Sequence, residues 1–254
     1  MAIQPTFIDV MRHGEPEGTC SDGGTILRGS TDHALTQKGW AQARKRTEML
    51  LADGNKWDVI ISSPLIRCAE FSKTLAATEF TEKGGNKGDR FFIKSDFREI
   101  HYGDWDGLST AKIWQDQPEL MEKMWQDPLE FCAPNGESVK DFSKRLQQAW
   151  LELITEFQGK RILLVCHGGV MRLLLKQLLL LAPEAMNRFA IPYAAVSRFR
   201  VDHSSVNDDA AVNDDAAVNN ADETSIKHWP SLLSHLGDEL NVDELNTEKV
   251  KADE

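Results

Sequence analysis

The fold is decided by the stretch Ile162-Leu-Leu-Val-Cys-His-Gly-Gly-Val170, in which a short apolar run gives way to a histidine and two glycines. An apolar run of five residues that is bounded in this way predicts a buried strand. The apolar residues that continue from Val170 predict a helix directly behind it. A strand, a glycine turn and a helix in this order are typical of one unit of an α/β protein.

Two further runs predict strands of the same kind. Residues 7–11 (Phe-Ile-Asp-Val-Met) stop at an Arg-His-Gly tripeptide, and residues 58–61 (Asp-Val-Ile-Ile) are rich in β-branched side chains. Thr36 is placed to cap a helix that runs to about residue 51, and Ser63 is placed to cap another that has proline at its first position. We therefore expect a three-layer α/β/α fold with a mostly parallel central sheet.

Two of these strands are followed by the same residues, a histidine and then glycine. His13 follows the run at 7–11, and His167 follows the run at 162–166. Ligands of open α/β sheets bind outside the carboxyl ends of the strands, so both imidazoles are expected in one crevice. Arg12 adjoins the first histidine, and Arg67 lies near a helix N-terminus. Because guanidinium groups match phosphate oxygens, these residues favour a phosphate ester as the substrate.

The ordered blocks of the chain resemble the histidine phosphatase superfamily, also called phosphoglycerate-mutase-like, over roughly residues 7–201. Each block is common by itself, but the whole series in order is specific. The blocks are Val10-Met-Arg-His-Gly-Glu15, Arg28-Gly-Ser-Thr-Asp-His-Ala-Leu-Thr-Gln-Lys-Gly39, Ser62-Ser-Pro-Leu-Ile-Arg-Cys-Ala69, Arg98-Glu-Ile-His-Tyr-Gly-Asp-Trp-Asp-Gly107, Asn135-Gly-Glu-Ser138 and His167-Gly168. Residues 27–42 and 102–107 are most similar to the α-ribazole-5′-phosphate phosphatase subgroup, which acts in late cobalamin assembly.

The resemblance implies a role for each site residue. His13 is the nucleophile and forms a phosphohistidine. Arg12, Arg67 and His167 bind the phosphoryl oxygens and offset the charge of the transition state. Glu99 is the general acid that protonates the leaving alkoxide, and then the base that activates water. The resemblance implies no cofactor and no metal.

Three other carboxylates compete with Glu99 for the role of general acid. Glu15 is one, with the alternative role of orienting His13. Asp104 and Asp106 are the others, with the alternative that they flank a tight turn around a tryptophan. Like charge on a bound phosphate would raise the pKa of a facing Glu, whereas the arginines would lower it, and the sequence leaves this balance open.

One departure from the family pattern lies just after the signature. The family usually continues with Glu and then Thr or Ser, whereas this chain has Glu15 followed by Pro16. Contacts from a hydroxyl in that loop therefore cannot be carried over. The Gly- and Ser-rich stretch at 17–25 is interpreted as a mobile lip or as a substrate loop that presents Arg28. Arg28 either contacts the substrate or is merely solvated.

The expected organisation is one domain with additions. The body covers residues 1–201 and includes a helical lid insert at about 108–135, whose apolar residues either stack on a flat base of the substrate or pack on the body. Residues 202–224 form an acidic low-complexity loop that contains a repeat of Val-Asn-Asp-Asp-Ala-Ala at 206–223. Residues 225–236 are predicted to return as a strand of the same domain, and 237–254 form an acidic tail.

The net charge of −11 belongs to the C-terminal part of the chain. Residues 202–254 contain 14 acidic and 3 basic side chains, which leaves 26 of each sign in residues 1–201. A neutral body argues against nucleic-acid and membrane partners. The four cysteines are scattered and the start shows no secretory signal, so a cytoplasmic location and a small-molecule phosphate ester as the partner are expected. The oligomeric state stays open.

Three alternatives to a phosphatase remain. A phosphoglycerate mutase is disfavoured because the pattern Ser-x-Trp-Asn is missing after the signature. A metallophosphatase with the two histidines as ligands is disfavoured because no closely spaced ligand pairs occur. A non-catalytic interaction module that uses the acidic segments is the third alternative.

Overall fold

One of the two central strands of the sheet is β4 (Arg161–Cys166), and its side chains alternate between two apolar layers. Ile162, Leu164 and Cys166 belong to one buried cluster, and Leu163 and Val165 belong to the other. A strand that is apolar on both faces requires a covering layer on each side. The computed structural model describes residues 4–18, 25–54, 56–81, 90–204 and 226–235.

The sheet in the described residues has six strands in the order β3-β2-β4-β1-β5-β6. The strands β1 (Thr6–Arg12), β2 (Val59–Ser62) and β3 (Phe91–Ile93) lie parallel with β4. The strands β5 (Val196–Ser204) and β6 (Lys227–His235) pair antiparallel at one edge. The expectation of a mostly parallel sheet is confirmed.

The helices form the two outer layers. On one face lie α1 (Gln37–Ala52) and α2 (Ile66–Thr81), which bury residues such as Ala43 and Phe71 against Leu163 and Val165. On the other face lie α5 (Val139–Glu156) and α6 (Gly168–Leu178). Thr36 caps α1 as predicted, because its side chain accepts a hydrogen bond from the Gly39 N–H at 2.9 Å. The three-layer α/β/α fold is therefore confirmed.

The start of α2 differs from the prediction. The helix begins at Ile66, and its first N–H groups are not satisfied by Ser63 alone. Asp32 accepts a hydrogen bond from the Ile66 N–H at 2.7 Å, where a carboxylate also meets the positive end of the helix dipole. The Ser63 hydroxyl instead forms a hydrogen bond with Nε2 of the His167 ring at 2.6 Å.

The insert at about 108–135 is helical, as expected. It contains α3 (Thr110–Asp116) and α4 (Pro118–Gln126), and α4 ends directly before Asp127-Pro128. Ile113, Met121 and Phe131 are buried in the large apolar cluster, which favours packing on the body for these residues, whereas Trp114 and Trp125 are exposed. That the insert acts as a lid stays a prediction.

The C-terminal part of the chain is described only in part. β6 lies within the segment expected to return to the sheet, and β5 continues to Ser204, three residues past the proposed end of the body. The repeat at 206–223 and the tail at 237–254 lie outside the described residues. The proposed division into body, acidic loop, return strand and tail therefore stays a prediction.

Candidate active site

The strand ends bring His13 and His167 together. Arg12 is in register with Cys166, and the His13 N–H donates to the Cys166 carbonyl at 3.0 Å. The centroids of the two imidazole rings are 5.2 Å apart, with the rings edge to face. The two histidines that were expected to meet at the carboxyl ends of the parallel strands are therefore neighbours there.

The tautomer of His13 follows from its own backbone. Its Nδ1 lies 2.7 Å from the carbonyl oxygen of Gly14, and a carbonyl only accepts, so Nδ1 carries the proton. Burial lowers the pKa of His13 well below its usual range, and the charges of Arg12 and Arg67 lower it further. The ring is thus neutral at neutral pH, and its Nε2 carries a lone pair that is available to attack phosphorus.

The ring of His167 is fully buried and is held from both sides. Arg67 Nε donates to its Nδ1 at 3.3 Å, so in the neutral ring Nε2 carries the proton and donates to the Ser63 hydroxyl at 2.6 Å. Burial, followed by the charge of Arg67, lowers the pKa of His167 well below its usual range. His167 is therefore a neutral hydrogen-bonding group beside the nucleophile.

Arg67 is buried and is fixed by backbone carbonyls. Its guanidinium donates to Thr31 O at 2.9 Å and to Arg28 O at 3.0 Å, with Gly29 O at 3.4 Å. These bonds and the bond to His167 set the position of the cation at the base of the site. The loop at 28–31, which begins the motif block at 28–39, thus orients a cation.

Arg12 ends β1, and Arg28 lies in the loop before α1. Arg12 donates to the carbonyl of Ile191, and Arg28 Nη2 donates to the carbonyl of Gly18 at 2.6 Å. The charges of both guanidinium groups lower the pKa of His13, the charge of Arg28 least. With Arg67, three cations act on the nucleophile, and such a site favours an anion.

Glu99 lies on the other side of this cluster, at the N-terminus of α6. Its carboxylate accepts hydrogen bonds from the Gly169 N–H at 2.9 Å and from the Ile100 N–H at 3.1 Å. Burial raises the pKa of Glu99 above its usual range, and the two N–H groups and the charges of Arg67 and Arg12 only partly oppose this. A Cβ at position 169 would collide with the Glu99 carboxylate, which explains the glycine there.

Two of the competing carboxylates are engaged elsewhere. Glu15 pairs with Lys38 at 2.9 Å at the start of α1, and the Gly14 carbonyl orients His13 in its place. Asp104 accepts a hydrogen bond from the side chain of Asn135 at 3.0 Å. These contacts favour Glu99 as the general acid, although that role stays a proposal.

Asp106, the third competitor, secures a loop. It accepts hydrogen bonds from the N–H groups of Gly29, Ser30 and Thr31 and from the hydroxyls of Ser30 and Thr31. Burial works to raise the pKa of Asp106, but the bonds from Thr31 and Ser30 outweigh it and leave the pKa below its usual value. Asp106 is therefore an ionised anchor of the loop that holds Arg67.

Several residues of the site were not predicted in these roles. Ser63 is predicted only as a helix cap and Asp32 only as part of a motif block, and the distance of 34 residues between Asp32 and Ile66 gives no local signal for the cap. Tyr193 was not singled out. The signal for Tyr193 lies in the topology. Because β5 runs antiparallel to β1, it begins where β1 ends, and the residues just before β5 therefore lie near His13.

Metal and membrane features can be assessed only within the described ranges. There, no group of three or more His, Cys, Asp or Glu side chains is arranged to hold a metal ion. None of the described helices combines the length and the hydropathy that crossing a bilayer requires.

Comparison with known proteins identifies the class. The profile of the histidine phosphatase superfamily (branch 1) matches residues 8–213, so the chain belongs to this family. The expected family is thereby confirmed, and with it the expectation of an enzyme of the histidine phosphatase class.

Individual relatives have different activities. A 2,3-bisphosphoglycerate-dependent phosphoglycerate mutase from Bradyrhizobium diazoefficiens is 30% identical over 182 residues, which are 70% of this chain and 83% of the relative. The structure of a mycobacterial glucosyl-3-phosphoglycerate phosphatase is similar with a TM-score of 0.62 and 25% identity, over 78% of this chain and 91% of that one. A candidate α-ribazole-5′-phosphate phosphatase from Escherichia coli has a TM-score of 0.66 and 23% identity over 91% and 96% of the two chains, which shows the fold alone.

We predict that Asp106→Asn destabilises the protein in a pH-dependent way. At neutral pH the amide loses acceptor sites for the loop, and the free energy of unfolding should fall by roughly 1–3 kcal/mol. Because the pKa of Asp106 in the folded state is below its ordinary 3.8, its contribution is complete above that value and is lost as the pH falls through the folded pKa. Urea unfolding should therefore show the same loss in the free energy of unfolding, relative to wild type, at pH 7 and pH 5, and a smaller loss at pH 3.

Asp104→Asn is the matched control, since among the described residues the Asp104 carboxylate accepts a hydrogen bond from the side chain of Asn135 alone. A difference for Asp106→Asn that is the same at all three pH values would contradict the role of its charge.

Proposed function

We propose that the protein is a metal-independent phosphomonoester hydrolase that acts through a phosphohistidine on His13. The observation that carries the proposal is the state of that ring, which is neutral, has its Nδ1 proton bound to Gly14 and lies among three guanidinium groups. A neutral imidazole in an electropositive pocket is a nucleophile beside an anion site.

In the first step, Nε2 of His13 attacks phosphorus and the bond from phosphorus to the ester oxygen breaks. Glu99, whose raised pKa lets it carry a proton closer to neutral pH than an ordinary glutamate, gives that proton to the leaving alkoxide. Arg12, Arg67 and His167 would bind the phosphoryl oxygens. For His167 this means that a phosphoryl oxygen replaces Ser63 as the acceptor of the Nε2 proton.

In the second step, Glu99 is a carboxylate and takes a proton from water. The water oxygen attacks phosphorus, the bond from phosphorus to Nε2 breaks, and inorganic phosphate leaves. Both groups are then restored, His13 neutral and Glu99 protonated. The Gly14 carbonyl keeps its bond to Nδ1–H throughout and stabilises the charge that the phosphorylated ring carries.

The substrate we propose is α-ribazole-5′-phosphate, which would place the enzyme in cobalamin biosynthesis. The support is the resemblance of residues 27–42 and 102–107 to that subgroup and the likeness in fold to the Escherichia coli protein. Arg28 is the proposed contact to the rest of the substrate, because the Gly18 carbonyl holds its guanidinium where its charge acts on His13.

Phosphoglycerate mutase is the second candidate, favoured by the curated relatives in Bradyrhizobium diazoefficiens and Bartonella tribocorum; the latter is 28% identical over 171 residues. A mutase must return the phosphoryl group to a second hydroxyl and keep water away. Release of inorganic phosphate without a bisphosphate activator would support a phosphatase, whereas phosphoglycerate isomerisation that depends on the activator would support a mutase.

We predict that hydrolysis of p-nitrophenyl phosphate survives excess chelator and disappears in His13→Ala. Removing the imidazole removes the nucleophile but leaves the cations that bind phosphate, so inorganic phosphate should still bind. Activity that persists in His13→Ala would contradict the proposal. Activity that chelator abolishes and divalent metal restores would favour a metallophosphatase instead.

We predict that Glu99→Gln slows hydrolysis according to the leaving group. For an alkyl phosphate, whose alkoxide needs a proton, kcat should fall by about 10²–10⁴-fold. For p-nitrophenyl phosphate, whose phenolate leaves readily, the fall in the first step should be much smaller, as measured by the burst of p-nitrophenol. Asp104→Asn is the control and should change neither rate, and equal losses for both substrates would exclude Glu99 as the general acid.

A further inference from the structure

The segment at 189–195 forms a wall of the site that the proposed mechanism does not use. It precedes β5, and because β5 runs antiparallel to β1, the segment arrives where β1 ends. The Arg12 N–H donates to Ala195 O at 2.9 Å, and the Ala194 N–H donates to His13 O at 3.2 Å. The backbone of this segment is therefore bonded to both residues of the Arg-His signature.

The conformation of the segment is unusual and is fixed from outside. Ala194 has φ +57°, a left-handed conformation that costs a non-glycine residue energy. Arg46 Nε donates to Ala194 O at 3.1 Å, and the Ala195 N–H donates to Pro192 O at 3.0 Å. Such strain persists only where the surrounding structure determines the backbone, and it is concentrated at functional sites.

This turn brings Tyr193 against two site residues. The ring centroid of Tyr193 lies 4.2 Å from Cζ of Arg12 and 5.9 Å from the ring centroid of His13. The guanidinium of Arg12 also donates to Ile191 O, two residues earlier in the same segment. One segment therefore supplies both an aromatic face and a carbonyl to the same cation.

Resting on the proposed role of Arg12 in binding the phosphoryl group, we propose that Tyr193 is a positioning residue for Arg12. An arginine side chain has many rotamers, and binding an oxyanion requires one of them. The face of Tyr193 fixes the plane of the guanidinium through a cation–π contact, and Ile191 fixes its rotation within that plane. The cation is thus oriented before substrate binds, so the entropy cost of fixing its rotamer does not add to the barrier of the reaction.

The aromatic face is the part of Tyr193 that this role needs. Tyr193→Phe keeps the aromatic face. Tyr193→Leu keeps apolar volume but removes the aromatic face. The matched control is Trp40→Leu, which removes a different cation–π contact, that of Arg44 with the Trp40 ring at 5.6 Å on α1. Thermal unfolding of each variant shows whether it is folded.

The test combines turnover with phosphate binding. Tyr193→Leu should lower kcat/KM for p-nitrophenyl phosphate about tenfold and weaken the binding of inorganic phosphate by a similar factor, as measured by calorimetry. Tyr193→Phe should stay within about twofold of wild type, and Trp40→Leu should change neither quantity. Unchanged phosphate affinity in folded Tyr193→Leu would overturn the proposal.

A double-mutant cycle separates positioning from direct contact. If Tyr193 acts through Arg12, Tyr193→Leu should have no further effect on phosphate affinity in the Arg12→Ala background. Full additivity of the two losses would overturn the proposal and indicate that the ring contacts the ligand itself.

Failure of the proposed function is a separate result. A wild-type protein that binds phosphate but hydrolyses no phosphomonoester would contradict hydrolysis, and the phosphate affinities would still decide the role of Tyr193. A wild-type protein that binds no phosphate would overturn both.

Discussion

The parallel pairing of β1 with β4 is the constraint on which the site depends. It puts the ends of two strands side by side, and the bond from the His13 N–H to the Cys166 carbonyl carries that register one residue past β1. Each strand is then followed by histidine and glycine. The two imidazoles therefore meet where the glycines, which have no side chain, leave space beside the backbone. β2 adds Ser63 through a bond from its N–H to the Val165 carbonyl. The register of these three strands alone therefore brings His13, His167 and Ser63 together.

The protonation states of His13 and Glu99 follow from two effects, their burial and the positive charges of the nearby arginines. Burial disfavours the charged form of His13 and of Glu99, and the arginines disfavour a charged histidine but favour a charged glutamate. For His13 the two effects add and leave a neutral nucleophile. For Glu99 they oppose each other, and burial prevails, which leaves an acid with a raised pKa. The sequence leaves this balance open because it depends on how deeply Glu99 is buried, and hydrophobic periodicity does not give that depth.

The sequence predicted the features that are set locally. The strands, the Thr36 cap and the histidines at the strand ends follow from apolar runs and from capping chemistry, and the structure contains them. It did not predict contacts between distant segments. Asp106 holds a loop more than seventy residues away, and Asp32 takes over a cap that was assigned to Ser63. Such contacts depend on the packed fold, so motif spacing alone does not reveal them.

Trapping the intermediate tests the central claim most directly. The protein is mixed with a phosphomonoester and denatured in alkali, where phosphohistidine survives, and its peptides are then mapped by mass spectrometry. The account predicts a phosphoryl group on His13, longer-lived in Glu99→Gln because the group that activates water is missing. A phosphoryl group on another residue, or turnover with none on the enzyme in either protein, would contradict it.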